Sequence, residues 1–345
     1  MEIREAIRHV SAGQHLDQDA AAAVMEAIMS GAATPAQIAA LLMALHLKGE
    51  QDTEIAGMAR VMRAKVTPVP VDLPGLVDTC GTGGDGAGTF NISTTAAFVV
   101  AGAGVPVAKH GNRAMSSASG SADLLEALGV AIDLDAAGVA ATLHTTGIGF
   151  MFAPRFHPAM RYAAPVRREI GIRTVFNVLG PLTNPAGARH QVLGVATPAL
   201  AEILAHALSH LDTIHALVVH GHGGMDELNL SGPALIYQVR AGTAPRRIEL
   251  DPSTLGLPAA ANSSLRGGDA AANATITRAI LDGSDHSPRR DVVLLNAAAA
   301  LVAADAVTDF AEGLDRARQS LDQGHAAACL EQFIQASQRV SNAAA

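Results

Sequence analysis

Apolar positions in the first 65 residues recur at helical spacing, set between polar residues that start and stop helices. Asp17 suits the N-cap of a helix over 18–30, which Gly31 ends. Thr34-Pro35-Ala36-Gln37 sets an N-cap, a first-turn proline and a capping-box glutamine in order; Ile38, Leu41, Leu42 and Leu45 follow at helical spacing before Gly49. Asp52 opens a third helix carrying Ile55, Met58 and Met62. Pro68, Pro70 and Pro74 then form a stiff connection suited to a hinge.

From residue 76 the pattern changes to short apolar runs alternating with helical ones. Strands are predicted over 76–80, 105–108, 149–152, 192–195, 214–220 and 234–239. Helices are predicted over 93–102, 122–128, 198–211, 271–281 and 292–304, with two more near the C-terminus. This alternation predicts an α/β fold: a small N-terminal helical domain followed by a larger α/β domain with a mostly parallel central sheet. No repeat of fixed period interrupts it.

Of the 345 residues, 49% are hydrophobic but only 3% aromatic, with no Trp, so the core has to be built from small aliphatic side chains. A charged fraction of 16% excludes a disordered chain. The net charge of −8 disfavours general nucleic-acid binding. Cys80 and Cys329 supply neither a disulfide framework nor a CxxC metal site. Glu2, Arg4, Glu5 and Arg8 rule out a signal peptide in the first ten residues, and the apolar run over 94–108 is too short to span a bilayer. A cytoplasmic protein with no membrane partner is expected.

The strongest local signal is Gly81-Thr82-Gly83-Gly84-Asp85-Gly86, directly after the first predicted strand. It fits GxGxxG, yet five residues separate it from the next helix, Lys109-His110 stands where an acidic residue should end the second strand, and no Walker lysine follows. A dehydrogenase is therefore disfavoured. What remains is a glycine loop whose backbone N–H groups can approach an anion, beside a helix starting near Ser93-Thr94. Lys109-His110-Gly111-Asn112-Arg113 and the serine run over 116–121 follow the second strand, where α/β sheets gather ligands. Together these loops suit a phosphate or pyrophosphate. Asp226-Glu227 follows a later strand through glycines. Alone it reads as a solvated pair at a helix start; with phosphate oxygens it would make a Mg²⁺ site. His220 and His222 lack the further ligands that zinc needs. Arg161, Arg167, Arg168 and Arg173 suit a planar carboxylate, and a solvated helix face would equally carry Arg167, Arg168 and Glu169. No Ser-His-Asp set or reactive-cysteine context points to covalent catalysis.

GTGGD at 81–85, NIST at 91–94, KHGNR at 109–113, GPLTNP at 180–185 and Asp226-Glu227 occur in the order found in anthranilate phosphoribosyltransferases. The resemblance spans essentially the whole chain, including GAATPAQ at 31–37 and GGDAA at 267–271. It implies the class II phosphoribosyltransferase fold, shared with nucleoside phosphorylases. Residues 1–67, joined by part of 158–190, would form the helical domain; residues 68–345 would form the α/β domain that binds 5-phosphoribosyl 1-diphosphate (PRPP). It also implies a homodimer, two Mg²⁺ per site, a place in tryptophan biosynthesis, and the transfer of the phosphoribosyl group to the amine of anthranilate.

Carried over by position, Gly81, Thr82, Gly83, Gly84, Asp85, Thr89, Asn91, Ile92, Ser93, Thr94, Lys109, Ser116, Ser117 and Ser121 would hold PRPP. Ser93, Asp226 and Glu227 would bind Mg²⁺. Gly81, Asn112 and Arg167 would face anthranilate, with His110, His157, Tyr162 and Pro181 lining its path. Lys109 and Mg²⁺ would stabilise the transition state, and no general base is assigned. Ala118 departs from the Lys of many relatives. A pyrimidine nucleoside phosphorylase of the same fold and a non-catalytic nucleic-acid-binding relative are the competing expectations.

Overall fold

The computed structural model describes residues 1–114 and 117–344. Its N-terminal block holds four helices, α1 (Ile3–Ser11), α2 (Gln18–Met29), α3 (Pro35–Lys48) and α4 (Asp52–Lys65). The expected start signals act as read. Asp17 accepts from Ala20 N at 2.7 Å, and Thr34 and Gln37 close a capping box. Helix α1 was not among the expected helices; Glu2 at its N-cap makes no side-chain capping bond, so the sequence carries no start signal there. A buried ion pair locks the block: Lys48 Nζ lies 2.9 Å from Glu54 Oε2, and Glu54 also accepts from Leu16 N and Gln51 N. Among the described residues no helix is long and apolar enough to cross a membrane.

The larger part begins with β1 (Val77–Gly81), α5 (Ile92–Gly102), β2 (Val107–Gly111), α6 (Ser121–Leu128), α7 (Ala136–Thr146) and β3 (Ile148–Phe152). A helical stretch follows, α8 (Ala153–Phe156), α9 (Ala164–Ile170) and α10 (Phe176–Leu179), before β4 (His190–Gly194), α11 (Pro198–Ser209) and β5 (His215–His220). The chain ends with β6 (Ala234–Arg240), β7 (Arg246–Leu250), α12 (Ala270–Leu281), α13 (Pro288–Ala303), α14 (Phe310–Asp322) and α15 (His325–Ala344). The sheet order is β3-β2-β1-β4-β5-β6-β7, parallel from β3 to β5 and antiparallel from there to β7. The mostly parallel α/β architecture expected from the alternation is therefore present. Strand β7 was missed because it is an edge strand whose Arg246, Arg247 and Glu249 face water.

Alternate residues of the central strands point to opposite layers. Val192, Leu217 and Val219 join α5, α13 and α14 in one core, while Leu193, Ala216 and Val218 join α11 and the helical block in another. The N-terminal helices thus share a core with one face of the sheet, with α4 packed on α11. Residues 66–75 cross between the two parts, tied by Thr67 N to Phe156 O (2.9 Å) and Val69 N to Pro185 O (3.0 Å).

Candidate functional site

Strand order runs from β1 to β2 on one side and to β4 on the other, so the crevice of this sheet opens at the carboxyl ends of β1 and β4. Gly81 and Gly194 close those strands in register with each other. The loop after β5 lies directly across them. A Cβ on Gly81 would stand 2.6 Å from Asp226 Oδ2, and one on Gly194 would overlap the Asp226 carbonyl oxygen. Glycine at both positions lets the acidic loop reach the strand ends.

Gly83 N donates to Asp226 Oδ2 at 2.8 Å, and Ser93 N donates to Glu227 Oε1 at 3.0 Å. Glu227 therefore sits at the N-terminus of α5, where the helix dipole favours negative charge. Asp85 accepts from Ala87 N at 3.1 Å and approaches Asp226 N at 3.4 Å. Burial, followed by the Asp85 charge, pushes the Asp226 carboxyl up to about 6; burial, followed by Asp226, holds Glu227 well above the usual carboxylate range. No helix follows the pair and both residues are half-buried, which corrects the solvated-pair reading. Three crowded carboxylates beside a single buried ammonium, that of Lys109, fit a divalent cation. Among the described residues no three His, Cys, Asp or Glu side chains form a complete metal cage, so the cation would need waters and phosphate oxygens, as Mg²⁺ does.

The second loop is placed beside the first as its spacing predicts. Lys109 is buried at the end of β2, its ammonium on Thr79 O and 3.4 Å from Ser93 Oγ. The charge thus lies beneath the carboxylate pair. Asn91, at the N-cap of α5, donates through Nδ2 to Ser119 O at 3.1 Å, while its Oδ1 accepts from Asn273 of α12 at 2.9 Å. Asn273 also accepts from Gly268 N at 2.8 Å, and Thr89 bridges to Arg266. The late GGDAA stretch therefore braces the segment between the glycine loop and α5. Ile92 and Thr94 are buried in the first turn of α5. Ser117 Oγ contacts Ser119 O, and Ser121 Oγ contacts Asn112 O. Ser116 lies outside the described residues.

His110 and His157, buried, meet through their Nε2 atoms at 3.2 Å. Burial, followed by His157, pushes His110 down to about 3, and burial pushes His157 down to about 4, so both imidazoles are neutral. Among the described residues His157 Nδ1 is buried without a partner. Arg167 lies 5.1 Å over the Phe176 ring. Pro181 O accepts from Gln191 Nε2 at 2.6 Å, Asn112 is exposed at the mouth of the loop, and Tyr162 packs against Gly31 of the helical block.

The sequence reading gives neither the contact of Arg173 with the glycine loop nor any role to Asp78. Arg173 Nη2 donates to Thr82 O at 2.9 Å, and its guanidinium fills the space a Cβ on Gly84 would need. Asp78, buried on β1 and raised to about 6 by burial, accepts from Asn184 Nδ2 at 2.8 Å and from His110 N at 3.3 Å. One carboxylate thus ties GPLTNP to KHGNR. A lone Asp in an apolar strand was the available signal.

Comparison with known proteins agrees with this geometry. Residues 4–66 match the glycosyl transferase family helical bundle domain, and residues 73–327 match the a/b domain of the same family. The anthranilate phosphoribosyltransferase of Chloroflexus aurantiacus is 68% identical over 97% of this chain and 98% of its own. The crystal structure of the Thermus thermophilus anthranilate phosphoribosyltransferase superposes with TM-score 0.91 at 46% identity, covering 96% of this chain and 99% of that one. The Saccharomyces cerevisiae anthranilate phosphoribosyltransferase in complex with PRPP and Mg does so with TM-score 0.88 at 28% identity, covering 98% of each. With its helical bundle, its mostly parallel sheet and its glycine loop in place, the chain belongs to the anthranilate phosphoribosyltransferase family.

Proposed function

We propose that this crevice transfers the 5-phosphoribosyl group of PRPP to the amine of anthranilate, giving N-(5-phosphoribosyl)anthranilate and pyrophosphate in tryptophan biosynthesis. The observation that carries the reading is the convergence of the glycine loop, the α5 N-terminus and the Asp226-Glu227 pair on one end of the sheet.

Backbone N–H groups of 81–86, with Thr89, Asn91, Ile92, Ser93 and Thr94 around the α5 N-terminus, hold the phosphates. Ser117 and Ser121 cover them from the second loop. Ser93, Asp226 and Glu227 would hold Mg²⁺, two ions per site. When bound, these ions neutralise the departing diphosphate. Lys109, buried beside Ser93, adds positive charge from beneath. Arg167 grips the anthranilate carboxylate, while Gly81, Asn112, His110, His157, Tyr162 and Pro181 shape its approach. The amine attacks C1 of the ribose as the C1–O bond to diphosphate breaks, and the proton of the resulting ammonium leaves to water. An aryl amine is already neutral, so no general base is required.

Residues 1–67, with part of 158–190, act as one body and 68–345 as the other, with the proline connection as hinge. Packing of α9 on α3 supports that grouping. The enzyme works as a cytoplasmic homodimer; exposed Leu47 on α3 supports a docking face on the helical body. Pyrophosphate release tests the assignment: one pyrophosphate should appear per anthranilate consumed, and equal release without anthranilate would contradict it.

A further inference from the structure

Helix α13 is buried along the whole of its stretch from Val292 to Ala303, and Asn296 is the polar residue within that stretch. Leucine or alanine there would lie quietly in the core; a buried carboxamide costs about 1–3 kcal/mol unless its hydrogen bonds are made. Two of the three are made to one residue of another segment. Asn296 Oδ1 accepts from Leu228 N at 3.2 Å, and its Nδ2 donates to Leu228 O at 2.8 Å and to Val292 O at 2.8 Å. Both backbone groups of Leu228, the residue after Glu227, are thereby clamped, as a neighbouring strand would clamp them. Residues 221–233 belong to no helix or strand, so the loop has no ladder of its own to fix it. Its other backbone ties include Gly221 N to Met225 O at 2.8 Å and Asn229 Nδ2 to His222 O at 2.7 Å within the loop, and Ala260 N to Leu230 O at 3.1 Å and Asn262 Nδ2 to His222 O at 3.2 Å from outside it; Asp226 and Glu227 themselves reach Gly83 N and Ser93 N. Asn296 also lines the narrow cavity behind Ser93, Asp226 and Glu227.

We propose that Asn296 is a positioning residue for the metal-binding carboxylates: by fixing the Leu228 backbone it aims Glu227 at Ser93 N and at the cation. This rests on the reading of Asp226 and Glu227 as Mg²⁺ ligands. Substitution of groups that hold metal ligands in place typically weakens metal binding about 10–100-fold.

The test measures Mn²⁺, a paramagnetic substitute for Mg²⁺, binding to the full chain with PRPP present, by electron paramagnetic resonance below each variant's melting temperature. Asn296→Leu fills the same volume without either bond to Leu228; if it fails to fold, Asn296→Ser removes both bonds without adding bulk. The Mn²⁺ dissociation constant should rise about 10-fold or more, while the anthranilate KM at saturating metal stays within about twofold of wild type. Asn296→Asp, which keeps the acceptor to Leu228 N and loses the donor to Leu228 O, should also bind Mn²⁺ more weakly than wild type. A folded Leu or Ser variant that binds Mn²⁺ as wild type does, whatever its melting temperature, overturns the proposal. The Asp226→Asn, Glu227→Gln double variant separates the two readings. If it loses Mn²⁺ and the Asn296 variants do not, only the positioning role fails. If it binds Mn²⁺ like wild type, the metal assignment fails and this inference with it.

Discussion

Adding one methyl group at Gly81 is a direct probe of the crevice. The backbone there has no positive φ, so alanine brings no conformational strain and lowers the entropy of the unfolded chain, a gain of about 0.4–1 kcal/mol. The new Cβ would stand 2.6 Å from Asp226 Oδ2 and 3.3 Å from its Cγ. To regain ordinary contact the carboxylate has to retreat by most of an ångström, which breaks its 2.8 Å bond from Gly83 N. A hydrogen bond to a charged group contributes about 1.5–3 kcal/mol, leaving a net destabilisation of about 1–2 kcal/mol. At roughly 2–4 °C per kcal/mol for a domain of this size, the melting temperature should fall by about 2–8 °C. Activity should suffer more than stability, because a misplacement near 1 Å costs up to about 10²-fold, or about 2.7 kcal/mol of barrier. Initial rates across a Mg²⁺ series at saturating substrates, with thermal melts by circular dichroism, separate the two effects. A Gly81→Ala enzyme with wild-type kcat/KM and an unshifted Mg²⁺ dependence would refute the placement of Asp226.

Further outcomes follow from other parts of the molecule. Gly194→Ala meets backbone instead of a side chain and should lower the melting temperature more than Gly81→Ala does; the reverse order in parallel melts would contradict the close approach of the 226 loop. Arg167→Ala should raise the anthranilate KM at least about tenfold with little change in the PRPP KM, and equal rises in steady-state kinetics would remove Arg167 from the acceptor site. The His110–His157 pair has folded values of about 3 and 4, below the unfolded value near 6.5, so the unfolded chain binds more protons in that window. Stability is complete above about pH 6.5 and is lost as pH falls toward 4, by up to about 2 kcal/mol per histidine at pH 5. Urea titrations of wild type and His157→Phe should show a shallower pH slope for the variant. Lys48→Met strands the buried Glu54 carboxylate and should cost about 3 kcal/mol or more, read as a lower urea midpoint at unchanged slope.

Local chemistry made much of the fold legible. Asp17, Thr34 and Gln37 announce helices because capping depends on residues within one turn, and apolar runs marked six of the strands. Strand β2 extends through Lys109 and His110 beyond the predicted end at residue 108, because their polar groups are satisfied inside by Thr79 O and Asp78 instead of by water. The glycine loop at 81–86 and the Lys109–Arg113 stretch are visible in the sequence as motifs. Their supports were not: Asp78 meets Asn184 across 106 positions, and Asn91 meets Asn273 across 182. Such pairs are set by which loops the sheet order brings together, and no window of the sequence contains both partners. Arg173 was read only as one of several basic residues, and its seat on Gly84 became apparent once the glycine loop was folded.

The proposed transfer joins anthranilate to PRPP in this crevice. Anthranilate fluorescence followed over time, with the protein, PRPP and Mg²⁺ present together and each omitted in turn, tests it most directly. The signal should fall only when all three are present, and chelating the metal should stop it. A folded protein that leaves anthranilate fluorescence unchanged in the complete mixture would contradict the assignment.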